Sequence, residues 1–242
     1  MTRVDGTGRP YFTIGDGYAL YQGGVTEGGL HRHAAFQVAI AVRGEVAMDD
    51  ASGARHCDVA LIVAPMVGHR LLQAQALRIF YVEPHCAFAD DLRALCGTGI
   101  TPAPAMSGLS EEDVRAAGGR PSSELDGRLL EAMRTLLDEQ ISMPALAAQV
   151  GLSPQRLRAL ARTELGMPLT RWRIWRRLAR SAEALREGRP LSVAALAGGF
   201  ADQAHFTREM RRMMGLTPAE AVRALEASAA ASRVERDRAG DR

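Results

Sequence analysis

Lysine is missing from this chain. All 30 basic residues among its 242 are arginine. That pattern reads chiefly as a GC-rich coding bias, so abundant arginine alone is weak support for a polyanionic partner. Cysteine is scarce: Cys57, Cys86 and Cys96 are three, with no CxxC spacing. An odd, sparse set argues against a disulfide framework and for a reducing compartment. No segment reaches the ~18 apolar residues of a membrane span, and the opening MTRVDGTGRPYF lacks the apolar centre of a secretory leader. The expectation is a soluble, cytoplasmic protein without a membrane partner.

What is present is unevenly spread. From residue 142 to 225 there are 14 arginines against 6 acids, whereas residues 1 to 141 hold 12 against 18. A formal net charge of +2 therefore averages an acidic first half with a basic second half. Such asymmetry points the second half toward a polyanion.

The periodicity changes as well. Phe36 to Val42 alternates and is β-branched, and Ala60 to Pro65 and Leu77 to Val82 are short apolar runs between turn residues. Several short strands at this spacing imply a β-barrel or sandwich. Cys96 to Ser123 is rich in Gly, Pro and Ala, in the manner of a connector. From Glu124 the pattern is helical, with Leu129, Leu130, Met133, Leu136 and Leu137 on one stripe. The expected division is a β domain over 1–96, a connector over 97–123, a helical domain over 124–225 and a disordered tail over 226–242.

In the helical part, Ser142 can cap a helix with Pro144 in its first turn, and Gly151 can end it. Ser153 and Pro154 then start a second helix. Leu146, Val150, Leu157 and Leu160 are spaced to share a small core, a helix-turn-helix unit. Gln155, Arg156, Arg158 and Arg162 are left outside. The design repeats. Ser192 is the expected cap of the next helix, Gly198-Gly199 its end, Phe200 a core plug and Asp202 the following cap. Phe206, Met210 and Met213 form the buried stripe, and Gln203, His205, Arg208 and Arg212 face out. A long helix from Leu169 to Leu185 joins the units, packing through Trp172, Trp175, Leu178 and Ala182. One basic helix usually just solvates its own surface. Two in a repeated frame, within one basic segment, imply helices that enter grooves of double-stranded DNA. Gln155, Arg158, Gln203, His205 and Arg208 are the expected base readers, with Arg162 and Arg212 on phosphates.

This half resembles the DNA-binding domain of the AraC/XylS family of bacterial transcription regulators. The resemblance rests on GF-x-D-x-x-x-F-x-R from Gly199 to Arg208, followed by G-x-TP from Gly215 to Pro218. Met210-Arg211 departs from the family's usual aromatic and lysine; methionine fills the same kind of core site. The resemblance implies an all-α domain of two helix-turn-helix units, transcriptional control, and RNA polymerase as a partner if the protein activates.

In the β half, His31, His33 and Gln37 share one parity and would point to one side of a strand. The pattern H31-x-H33-x3-Q37-x6-G44 resembles the first cupin motif, and Pro65 to His69 a degenerate second one. That implies a double-stranded β-helix and, overall, an α+β multidomain protein. A metal-binding cupin would use both histidines, an acid at position 37, and His69. Here the acid is an amide, which weakens a site for dications. A metal site, a metal-free pocket and purely structural histidines stay open. The reading carried forward is an effector pocket lined by His31, His33, Gln37 and His69, with no metal or other cofactor. The protein is then a non-enzymatic regulator binding a small-molecule effector. The rivals are a metal-dependent cupin enzyme with a helical appendage and an architectural DNA binder. A homodimer is expected, either through Leu92 and Leu95 or with those leucines packed on their own barrel.

Overall fold

The computed structural model describes residues 11–25, 27–97, 99–138 and 141–223. The expected disordered tail lies outside them. Eight strands come first: β1 (Tyr11–Gly15), β2 (Tyr18–Val25), β3 (Phe36–Ala41), β4 (Val46–Asp50), β5 (Arg55–Asp58), β6 (Ala60–Val63), β7 (His69–Leu71) and β8 (Ala74–Val82). They are followed by α1 (Phe88–Leu95), β9 (Ile100–Pro102) and α2 (Glu111–Gly118). The helical half comprises α3 (Gly127–Asp138), α4 (Met143–Gln149), α5 (Pro154–Leu165), α6 (Leu169–Arg186), α7 (Leu191–Ala197) and α8 (Gln203–Met214).

The strands form two antiparallel sheets, one ordered β1-β2-β8-β3-β6-β9 and one ordered β5-β4-β7. Among the described residues they do not close into one hydrogen-bonded barrel. The larger sheet is covered on both faces. Ala39, Leu61, Val63 and Ile79 face the smaller sheet, where they meet Val46, Met48 and Leu71. Val38, Ile40, Ile62 and Phe80 face the other way, under α1 and α2. Burial on both sides is why β3, β6 and β8 read as nearly continuous apolar runs.

Three expectations change here. The stretch expected as a connector is structured: β9 extends the larger sheet beside β6, and Val114 and Ala117 of α2 join its outer core. Its Gly and Pro residues serve turns between short packed elements rather than a free linker. Leu92 is fully buried in that same core, so it cannot be a dimer contact, although Leu95 is half exposed. Finally, His31 and His33 are not on a strand. His31 makes an isolated bridge with His69, and the chain bends at Ala34 and Ala35 before β3 begins.

The helical half is stapled at its ends. The Ala145 N–H donates to Ser142 Oγ (3.4 Å), that of Arg156 to Ser153 Oγ (3.1 Å), and that of His205 to Asp202 Oδ1 (2.6 Å). Each such cap contributes about 1 kcal/mol. Gly151 and Gly215 take φ of +68° and +70°, the left-handed conformation that glycine adopts without a Cβ clash. The helix after Arg189 starts two residues earlier than expected: Pro190 is its N-cap, and Ser192 lies inside the first turn without capping it. Proline's fixed φ makes it an adequate start, and the serine is then not needed.

Helix α6 holds the two halves together. Trp172, Trp175 and Leu178 share one apolar core with α3, α4, α5, α7 and α8, and that core takes in Ala34 and Ala35 from the β half.

Candidate nucleic-acid interface and candidate effector site

The outer face of α5 carries Gln155, Arg156, Arg158 and Arg162, all exposed. Leu157, Ala161 and Leu165, at helical spacing between them, are buried. On α8 the same division leaves Gln203, Arg208 and Arg212 exposed over buried Phe206, Met210 and Met213. Among the described residues, none of these seven polar side chains makes an ion pair or side-chain hydrogen bond. Their donors are unspent. His205 differs: it is half-buried, its ring set edge-on to Phe200 at 5.3 Å, so it offers an edge rather than a free side chain. Arg212 also lines a cleft against the β half, beside its expected phosphate role.

The four residues expected in the effector pocket do converge. His31 and His69 have ring centroids 4.4 Å apart, and His33 and His69 4.9 Å apart. Gln37 enters from β3, its Oε1 2.7 Å from His33 Nε2 and 3.1 Å from His69 Nε2. Each Nδ1 lies against a backbone carbonyl: His31 on Gly29 (2.8 Å), His33 on Ala35 (2.9 Å) and His69 on Val67 (3.0 Å). Neutral rings can therefore donate Nδ1–H and keep Nε2 as acceptor. With its amide turned so that –NH2 rather than Oε1 faces them, Gln37 supplies hydrogens to two of these nitrogens. Burial holds all three rings neutral: desolvation, reinforced by His31, lowers His33 to about 4. Desolvation also lowers His69 and His31.

The same convergence gives three ring nitrogens within 4.8 Å of one another, a spacing that fits a divalent cation. Among the described residues no carboxylate joins them, and Gln37 offers no charge to offset that of a cation. The ring geometry fits a metal; the charge of the set does not. The cluster is also packed shut rather than open. His33, Gln37 and His69 are at most 1% exposed, and Tyr81 and Trp175 close over His33 at 5.2 and 6.1 Å.

That closure depends on residues the sequence reading did not single out. Glu83, at the end of β8, is buried and accepts hydrogen bonds from Trp175 Nε1 (3.2 Å) and from Arg176 on α6. His85 Nδ1 lies 3.5 Å from its other oxygen, and burial pushes the His85 pKa down. Nothing in the local pattern pairs an acid at 83 with an arginine at 176. An acid in an apolar run, just before Pro84, was the only available sign.

A helix-turn-helix domain model matches residues 146–224, the stretch from α4 through α8. The arabinose operon regulatory protein of Escherichia coli (strain K12) is 32% identical over 101 residues, covering 40% of this chain and 35% of that protein. The helical half is thus a helix-turn-helix domain over α4 to α8 that is similar to part of this regulatory protein. The Salmonella typhimurium arabinose operon regulatory protein is similar, at 31% identity over 101 residues, 40% of this chain and 36% of that one. The match thus spans about a third of the length of each of these two regulatory proteins. The likeness in fold runs further. ToxT from Vibrio cholerae O395 superposes with a TM-score of 0.57 over 86% of this chain and 98% of its own, at 10% identity. A sheet-rich first domain followed by a helical domain is thus common to both. No described helix is long and apolar enough to cross a membrane.

Proposed function

We propose that the protein is a cytoplasmic, sequence-specific DNA-binding regulator that answers a small-molecule effector through its β half. The observation that carries this reading is the pair of capped helix pairs, α4–α5 and α7–α8, on one shared helix. We take each as a helix-turn-helix unit whose second helix reads the major groove. Gln155 and Arg158 meet base edges from α5, and Gln203, His205 and Arg208 from α8, while Arg156, Arg162 and Arg212 meet phosphates or sugar edges. Held by α6, the two reading helices address successive major-groove segments about 34 Å apart on one face of the duplex. Because their sequences differ, each chain reads an asymmetric site.

The β half, a cupin-like double sheet, takes the effector at the end where His31, His33, Gln37 and His69 meet α6, without a bound metal. A small molecule has precedent in this architecture, since ToxT from strain SCE256 has been solved bound to an unsaturated fatty acid. Two chains pair on a two-fold axis, and an activating form would touch RNA polymerase. Binding-site selection from random duplexes, then footprinting with and without candidate effectors, tests the proposal. A single enriched asymmetric motif is expected. Equal protection of all sequences would leave only an architectural binder, and a stoichiometric dication lost on His31→Ala would overturn the metal-free part.

A further inference from the structure

The two helix pairs are built on one plan, and its register matches their residues one to one. Helices α5 and α8 are each 12 residues long. Each runs from a side chain that caps its start, Ser153 or Asp202, to a left-handed glycine that ends it, Gly166 (φ +68°) or Gly215 (φ +70°). The helices before them, α4 and α7, are each 7 residues long and lead into a positive-φ glycine, Gly151 or Gly199. The residue after that glycine donates back into the helix: Leu152 N–H to the Ala147 carbonyl (2.8 Å), and Phe200 N–H to that of Ala195 (2.9 Å). The second turn is longer by one residue, Ala201. Counted from the caps, buried Leu157 and Ala161 correspond to buried Phe206 and Met210, so the match holds in the cores as well as at the ends.

On the other side of the helices the matched residues differ. Pro154 and Arg156 correspond to Gln203 and His205, Gln155 to Ala204, Arg158 to Thr207 and Ala159 to Arg208. Where one helix offers a long polar side chain, the other offers alanine or, at Thr207, a hydroxyl that already donates to the Gln203 carbonyl (2.8 Å). One outward position is the same in both: Arg162 corresponds to Arg211. Both are exposed, and among the described residues neither makes an ion pair or a side-chain hydrogen bond. Glu220 feels the charge of Arg211, but its carboxylate is taken by Thr217 through N–H (2.6 Å) and Oγ1 (2.8 Å). Arg212 corresponds to Thr163 and lines the cleft against the β half.

We propose that Arg211 is a DNA-phosphate anchor equivalent to Arg162, and that the two sub-sites are told apart at the matched positions that differ, foremost Gln155/Ala204, Arg158/Thr207 and Ala159/Arg208. The proposal rests on the DNA-reading assignment above and supplies its internal rule. Phosphate contacts fix a helix on the duplex and carry no sequence information, whereas contacts to base edges do. A guanidinium repeated at one place in both units therefore suits the part of the duplex that every sequence shares. Side chains that alternate between long polar and alanine suit the part that varies, glutamine favouring adenine and arginine guanine. Each unit is then the same clamp fitted with a different reader.

Selection from random duplexes, together with the salt dependence of duplex affinity, tests this on the full chain. The unsubstituted protein selects a site with two different sub-sites. One variant carries the α8 residues onto α5: Pro154→Gln, Gln155→Ala, Arg156→His, Arg158→Thr and Ala159→Arg. It gives the first sub-site the base preference of the second, so one preference appears twice in the selected site. Arg211→Gln and Arg162→Gln each lower the salt slope by about one and leave base preferences unchanged, and together they lower it by about two. Arg115→Gln, on α2, leaves the slope as it was. Circular dichroism and urea denaturation check that the transplanted variant folds; should it not, Arg211→Gln decides alone, since its side chain is exposed. The inference is overturned by a first sub-site that keeps its own preference, or that loses it without gaining the second's. It is equally overturned if Arg211→Gln leaves the slope unchanged or alters a base preference. In each of these cases the regulator reading stands. No motif selected by the unsubstituted protein would reject that reading, and the inference with it.

Discussion

The two halves of the chain use the same cation in opposite ways. In the β half arginines are mostly satisfied internally: Arg55 and Arg70 flank Asp49, Arg93 meets Asp90, and Arg115 reaches Glu111. On α5 and α8 the outward arginines make no ion pair or side-chain hydrogen bond among the described residues. Counting arginines would have missed this difference. What marks a nucleic-acid face is the guanidinium that the fold declines to pair, because counterion release on binding needs a charge that is free beforehand.

The comparison breaks most visibly at the junction. Glu83→Ala leaves Arg176 and Trp175 Nε1 without their acceptor in a buried place, so stability falls by about 3–5 kcal/mol, read by urea denaturation. If the loss is instead below about 1 kcal/mol, the halves are not coupled through this contact. Acidification gives a slightly smaller effect. His33 is held near 4 by burial, next to His31 and His69, which burial also lowers, and under Tyr81 and Trp175. The unfolded chain takes up this proton near 6.5, the folded one only near 4. Stability is therefore full above 6.5 and is lost as pH falls toward 4, by about 3 kcal/mol from this ring. His33→Gln should flatten that slope in denaturation curves taken across the range. On the DNA side, Arg158→Ala and Arg208→Ala each cost about 1–3 kcal/mol and relax preference at one base pair, while Arg162→Ala weakens all sequences alike and lowers the salt slope by about one. A binding series over single-base operator variants separates the two patterns; unchanged base preferences in both reader variants would show the helices are oriented otherwise. The smallest effect belongs to the paired class. Arg55→Ala removes an exposed arginine whose buried partner Asp49 keeps Arg70, so it changes stability by at most about 1 kcal/mol and leaves DNA affinity as it was.

Much of the helical half was legible because its signals are local. Caps, left-handed glycines and a 3.6-residue stripe each act within one turn, so Ser142, Ser153, Asp202 and Gly151 could be placed without knowing what they pack against. The exception, Ser192, shows the limit, since Pro190 one turn edge earlier starts the helix equally well. In the β half the strands were visible but their partners were not. Residues 97–123 read as a linker because β9 and α2 are short and depend on a sheet supplied by distant segments. The convergence of His31, His33, Gln37 and His69 was anticipated from strand parity, yet only Gln37 and His69 sit on strands. The bend at Ala34 and Ala35 delivers the other two. That the cluster lies shut beneath Trp175 could not be read at all, because the lid comes from the other half of the chain.

Helix α6 also has a mechanical meaning. Its 18 residues make a rod about 27 Å long, with Trp175 about 10 Å from one end and about 17 Å from the other. The β half grips the rod near that fulcrum, and a helix pair hangs from each arm. A tilt of only about 5° at Trp175 would displace the far end by about 1.5 Å and the near end by about 0.9 Å in the opposite sense. Base-edge hydrogen bonds tolerate little more than that. A small repacking at the grip would therefore turn both proposed reading helices together, shifting one helix pair against the duplex in the opposite sense to the other.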